Sequence, residues 1–235
     1  MNVQILAPEK STWGSSSMKR RVQDTAVSTI IFDCDDVLLE WQEGFRLWML
    51  ATNGVRLDPA GPQSWDMDEW IGEPALPFIE RFNASSSFGD LRSCMGAKAA
   101  VAQLYAAGHE LHVVTACSAD PAIIFRRERN LDRVFGDVFA SIVCVPLGFP
   151  KSEALSKIAE STSQPIIWIE DNHKNALAGR ALGFDCWMMR RPHNLSHEAS
   201  SPLDMKWADD FDPILERLFL ERLFLERLFP ATAVA

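Results

Sequence analysis

Five short apolar runs, rich in β-branched and aromatic residues, recur along the chain at residues 28–32, 109–114, 140–145, 165–169 and 184–189. Sequence of helical character lies between them, at residues 97–107, 121–130, 152–160 and 173–182. Runs this short and predominantly apolar belong to strands buried on both faces, and strands joined through helices lie parallel. The pattern predicts an α/β fold, a Rossmann-like three-layer αβα arrangement around a parallel sheet. Gly108 closes the first of these helices, and Pro146 with Gly148 stops the third strand. In such sheets ligands bind beyond the carboxyl ends of the strands, which here carry Asp33, Thr115 and Asp171.

One interval breaks the alternation. Residues 38–93 hold no strong strand signal, but they contain Trp41, Trp48, Trp65 and Trp70, proline and glycine punctuation at 59–62, and helical patches at 41–51 and 74–82. This predicts a small helical cap inserted after the first strand, which splits the core domain into residues 29–37 and 94–212. Residues 1–28 lack periodicity and include Gly14-Ser15-Ser16-Ser17, the composition of a mobile leader, with Met18 as a second candidate start. Residues 213–235 carry the pentapeptide LERLF three times in tandem from Leu215 to Phe229. Five residues advance about 140° around a helix, so the apolar positions wander around the axis. The segment reads as an expanded tail helix with no role in chemistry; an oligomerisation helix forming a homodimer is the alternative.

The chain carries 23 basic and 32 acidic residues, for a net charge of -9. The leader contributes +2 and the repeat nothing, so the remaining body carries -11. An acidic body argues against a nucleic-acid polymer or an anionic membrane as partner, and an anionic ligand would need a local positive charge. No apolar run approaches the roughly 20 residues that span a bilayer, and the leader lacks the apolar stretch of a signal peptide, so a cytoplasmic location is expected. Cys34, Cys94, Cys117, Cys144 and Cys186 are scattered and form no C-x-x-C pair, and they read as reduced small residues.

The sharpest local feature is Ile30-Ile31-Phe32-Asp33-Cys34-Asp35-Asp36, a buried strand ending in three carboxylates within four positions. Like charges gathered at a strand end cost free energy unless a cation or proton offsets them, so the cluster points to a divalent metal. The other strand ends add to it: Thr115 closes the second, Lys151 follows the third at a helix start, and Glu170-Asp171 close the fourth. A nucleophilic carboxylate, a hydroxyl donor, an ammonium and a second metal-binding acid are what phosphoryl transfer to an aspartate needs. This set, in this order across residues 29–192, resembles the haloacid dehalogenase superfamily of phosphohydrolases. Phe88-Gly89-Asp90-Leu91, Val114-Thr115-Ala116 and Arg191-Pro192-His193-Asn194 are similar to its cytosolic 5'(3')-deoxyribonucleotidase branch.

The resemblance implies that Asp33 attacks phosphorus, and that Asp35 first protonates the leaving oxygen and then activates water. It implies Mg2+ held by the side chains of Asp33 and Asp171 and by the backbone carbonyl of Asp35. Thr115, Ala116 and Lys151 would bind the phosphoryl group, with Lys157 and Lys174 as rivals of Lys151. Glu170 is either a supporting carboxylate or an acid favoured before a helix N-terminus. Asp36 stands where the superfamily usually has glycine, Val37 where threonine is frequent, and Asn175 where many members have a second aspartate.

Asp35 favours a phosphatase over a dehalogenase, which needs no acid at that position. A phosphomutase, and a catalytically weak scaffold on the same fold, are the alternatives. The expected activity is Mg2+-dependent hydrolysis of a small phosphorylated metabolite, a nucleotide or sugar phosphate. Trp41, Phe45, Trp48, Trp65 and Trp70 are candidates for stacking or for packing, and Arg46 and Arg81 for a second anionic group.

Overall fold

The computed structural model describes residues 27–228, with side chains to residue 220. The core strands are β1 (Thr29–Phe32), β2 (Glu110–Ala116), β3 (Ser141–Val145), β4 (Ile166–Glu170), β5 (Asp185–Met189) and β6 (Lys206–Ala208). Helices α1 (Trp41–Asn53), α2 (Met67–Ile71) and α3 (Leu76–Asn83) follow β1, and α4 (Ala97–Ala106) leads into β2. Helices α5 (Pro121–Phe135), α6 (Ser152–Ser161) and α7 (His173–Ala181) join successive strands, and α8 (Asp212–Leu228) closes the described chain. Short 3-10 segments span Ser87–Asp90 and Pro192–Ser200.

The strands form one all-parallel sheet in the order β3-β2-β1-β4-β5-β6. The chain builds outward from β1 first through β2 and β3, then through β4 to β6. That reversal opens a crevice at the carboxyl end of β1, the place where such sheets take ligands. Phe32 pairs with Val113 and with Ile169, which puts Asp33 level with Glu170 at that edge.

Side chains alternate across the sheet as the period of two requires. Ile30, Phe32, Val113 and Ile169 pack against α4, α5, α8 and the insert, whereas Ile31, Trp168 and Met188 pack against α6 and α7. Each such side chain taken wholly from water contributes about 1.5–3 kcal/mol before conformational entropy is counted. Gly179 lets α7 settle onto the sheet, because a Cβ there would stand 2.5 Å from Cδ1 of Trp168. These layers are the expected αβα arrangement.

The insert is helical, and its aromatic core is continuous with the one under the sheet. Gly44 brings α1 against Leu91, where a Cβ would meet Cδ2 at 2.2 Å. Helix α5 continues to Phe135, past the expected stop at Asn130, because Leu131, Val134 and Phe135 extend its apolar face as far as Gly136. Asn130 is a brace and not a stop: its amide accepts the Leu91 N–H at 3.0 Å and donates to the Leu91 carbonyl at 2.9 Å. Strand β6 is unforeseen, since three residues at a sheet edge are too few to show a period.

The first LERLF unit also packs inward, with Leu215 and Leu218 buried beside Phe211 and Ile214. The expected leader lies outside the described residues up to Val27, as does the chain after Leu228. The described cysteines are all free thiols, and no described helix is long and apolar enough to cross a membrane.

Candidate active site

β1 delivers Asp33 to the crevice, and the Asp33 N–H donates to the Ile169 carbonyl at 2.8 Å. Lys151, at the start of α6, places Nζ 2.6 Å from Asp33 Oδ1 and 2.9 Å from Glu170 Oε2. The other Glu170 oxygen accepts the N–H groups of Asp171 at 3.2 Å and Asn172 at 2.9 Å. Glu170 is thus the anchor for Lys151 and for the turn after β4. Burial disfavours the Lys151 charge, but Asp33 and Glu170 outweigh it and hold its pKa above the usual lysine value. Burial, then the Asp33 charge, pushes the Glu170 carboxyl well up. Of the rival lysines, Lys157 pairs with Glu153 on the surface and Lys174 stands at the cavity rim.

Asp171 is buried at the end of β4, with Oδ2 3.1 Å from His193 Nε2 and with Oδ1 lacking any partner among the described residues. Burial raises its pKa, yet His193, Arg191 and Lys151 together hold it below the ordinary value. Asp33, Glu170 and Asp171 each offer an oxygen, and these atoms lie within 4.8 Å of one another. Both Glu170 oxygens are already engaged, so Asp33 and Asp171 are the side chains suited to a cation. An all-oxygen donor set fits a hard ion such as Mg2+, and the bare, buried Oδ1 of Asp171 is the atom such an ion would satisfy.

The carboxylate of Asp35 stands apart from this trio. Its Oδ1 lies 2.5 Å from Nη2 of Arg127, a wholly buried guanidinium seated 4.1 Å from the centre of the Phe88 ring. Burial pushes Asp35 up to about 6; Arg127 opposes that rise and the Asp33 charge adds to it. Sequence reasoning did not single out Arg127, although a signal was there. It falls four residues from both Ile123 and Leu131, in the middle of the buried face of α5.

Asp36 is the one non-glycine residue with positive φ among the described residues, at 57°. That slot suits glycine, and among side-chain-bearing residues Asp and Asn tolerate it best. Its Oδ1 also accepts the Gln42 N–H at 3.0 Å, and its carbonyl accepts from Arg191 Nε at 2.7 Å. Asn175 lines the cavity, and its N–H is capped by Asn172 at 3.1 Å.

A cavity of about 570 Å³ lies between the insert and the strand ends. Asp33, Asp35, Ala116, Lys151 and Asp171 line one side, while Trp41, Trp65, Leu76 and Ile79 from the insert, with Phe149, line the other. Thr115, on the Val113 face of β2, is wholly buried with its hydroxyl unpartnered, and it is not part of the cavity wall.

The aromatic candidates divide. Phe45 stacks on Trp41 at 5.0 Å, Trp48 packs on Phe82, and Trp70 Nε1 donates to the Asp58 carbonyl, all away from the cavity. Trp65 is 58% exposed at the mouth. Arg46 is paired with Glu43 and Arg81 lies over Phe78, so neither lines the cavity, whose rim cation is Lys174.

No protein-family model matches the chain, and no curated protein matches it in sequence. Solved structures do match. A haloacid dehalogenase-like hydrolase from Streptococcus pneumoniae aligns with TM-score 0.59 and 14% identity, covering 83% of this chain and 99% of its own. The D,D-heptose 1,7-bisphosphate phosphatase of B. bronchiseptica, complexed with magnesium and phosphate, aligns with TM-score 0.54 and 17% identity over 83% and 99%. The L-2-haloacid dehalogenase of Xanthobacter autotrophicus aligns with TM-score 0.52 and 13% identity over 81% and 98%. The protein therefore has the fold of the haloacid dehalogenase-like hydrolases, as its strand-end residues imply. Phosphatases and dehalogenases share that fold, so the chemistry must be read from the site.

Proposed function

We propose that the protein is a Mg2+-dependent phosphomonoesterase working through an aspartyl-phosphate on Asp33. Asp35 carries this reading: a second carboxyl two residues after the nucleophile, held by buried Arg127 and raised to about 6, can hold and release a proton near neutrality. A dehalogenase needs no such acid there. Asp33 attacks phosphorus, the ester P–O bond breaks, and Asp35 passes its proton to the departing oxygen. Asp35, now ionised, takes a proton from the water that attacks the phosphoryl group. The bond from phosphorus to Asp33 breaks, and inorganic phosphate leaves. Lys151 neutralises Asp33 and the arriving phosphoryl oxygens. Mg2+ held by Asp33, Asp171 and the Asp35 carbonyl would supply the remaining positive charge.

The far wall of the cavity sets Trp41, Trp65, Leu76 and Ile79 beside the carboxylates of Asp66 and Asp68, which disfavour a second anionic group there, and Lys174 is the cavity's one lysine or arginine besides Lys151 among the described residues. A nucleoside monophosphate, with one anion and a flat apolar base, suits that wall better than a sugar bisphosphate. The test is a panel of p-nitrophenyl phosphate, nucleoside monophosphates and sugar phosphates, with Mg2+ and with a chelator. Mg2+-dependent phosphate release is expected, highest for nucleotides; no turnover across the panel would overturn the proposal. Trp65→Ala is expected to raise the nucleotide KM at least about fivefold, the lower end of base-stacking energies, while Trp48→Ala leaves it unchanged.

A further inference from the structure

We propose that His193 is a positioning residue that, steered by Gln42 of the insert, sets the Asp171 carboxylate for the metal ion. The inference rests on the reading of Asp171 as a metal ligand. His193 is buried at the start of the 3-10 segment after β5, with Nε2 3.1 Å from Asp171 Oδ2 and Nδ1 2.9 Å from Gln42 Nε2. An amide nitrogen only donates, so Nδ1 must accept and the ring proton resides on Nε2. Asp171 imposes the same tautomer, because an imidazole lone pair facing a carboxylate would set two acceptors together. The two neighbours therefore agree on the Nε2–H tautomer, and Nε2 stands 3.1 Å from Oδ2, within ion-pair reach but off the line of a hydrogen bond in this structure.

The ring has little freedom to turn. Trp65 meets it edge to face at 5.1 Å, and Asn194 donates to the carbonyls of Asp171 at 2.7 Å and Met189 at 2.8 Å, tying the segment to the ends of β4 and β5. With the His193 ring against Oδ2, the unpartnered Oδ1 is the oxygen left to face a cation. Partners that orient a metal ligand in this way typically carry a large share of the site's affinity. Gln42 and Trp65 both belong to the insert, so its seating against the sheet is conveyed to a metal carboxylate through one ring.

The test is calorimetric titration of Mg2+ alone into the intact protein, without substrate. His193→Phe keeps the ring and its Trp65 contact but loses the donor, and is expected to weaken Mg2+ binding about 10- to 100-fold. His193→Gln, whose amide N–H can stand near the position of Nε2, is expected to recover most of that loss. Gln42→Met is expected to shift affinity the same way by less, and carries the test if His193→Phe fails to fold. In the wild type, 15N spectroscopy of His193 is expected to show the Nε2–H tautomer.

Wild-type Mg2+ affinity in folded His193→Phe, or an Nδ1–H tautomer, would overturn the inference and leave the phosphatase reading intact. A wild-type protein that binds no Mg2+ would remove that reading and the inference with it.

Discussion

Asp33→Asn is expected to lower Mg2+-dependent phosphate release by at least about 10⁴-fold, the scale of loss when a covalent nucleophile is removed. Asparagine keeps the side-chain oxygen that accepts the Cys34 N–H at 2.6 Å, and it nearly preserves the volume. Its amide cannot attack phosphorus, and Lys151 keeps Glu170 as a partner at 2.9 Å, so the loss should fall on turnover and not on folding. Steady-state rates beside a near-ultraviolet circular dichroism spectrum measure both. A folded variant retaining more than about a hundredth of wild-type turnover would show that Asp33 is not the nucleophile.

Lys151→Met is expected to produce the largest loss of stability, about 3–5 kcal/mol, as when one partner of a buried ion pair is removed. Lys151 is 2% exposed, and its ammonium lies between Asp33 and Glu170. Without it two buried carboxylates face each other, and Glu170, already raised by burial and by Asp33, would rise further. A carboxyl whose folded pKa exceeds its unfolded value binds more protons in the folded state, so stability falls as pH rises through that folded value. The penalty should therefore be greater at pH 8 than at pH 5, and added Mg2+ should offset part of it. Urea unfolding at the two pH values, with and without Mg2+, measures this. A loss below about 1 kcal/mol, or one independent of pH, would mean that the ammonium is not what holds the cluster together.

The fold was legible because buried parallel strands advertise themselves: β1 is an unbroken apolar run followed at once by Asp33, and the strand-end residues occur in a telling order. The residues that complete the site were not legible, because the contacts are tertiary. Arg127 meets Asp35 across 92 residues, and Gln42 meets His193 across 151, spans over which no sequence period operates. The tryptophans of the insert were visible as a group, but only packing decides that Trp48 lies with Phe82 while Trp65 faces the cavity. Asp36 looked like a departure from a glycine-favouring position. The backbone shows why an aspartate is accepted there: φ is positive and the side chain caps Gln42.

In the proposed mechanism phosphate passes through a covalent bond to Asp33. Wild-type protein turning over its best phosphomonoester with Mg2+ can be quenched in acid, digested and sequenced by mass spectrometry. Phosphate is expected on the peptide containing Asp33, and none after removal of Mg2+ by a chelator. Phosphate on a different residue, or a turning-over enzyme whose Asp33 peptide never carries it, would show that Asp33 is not the nucleophile.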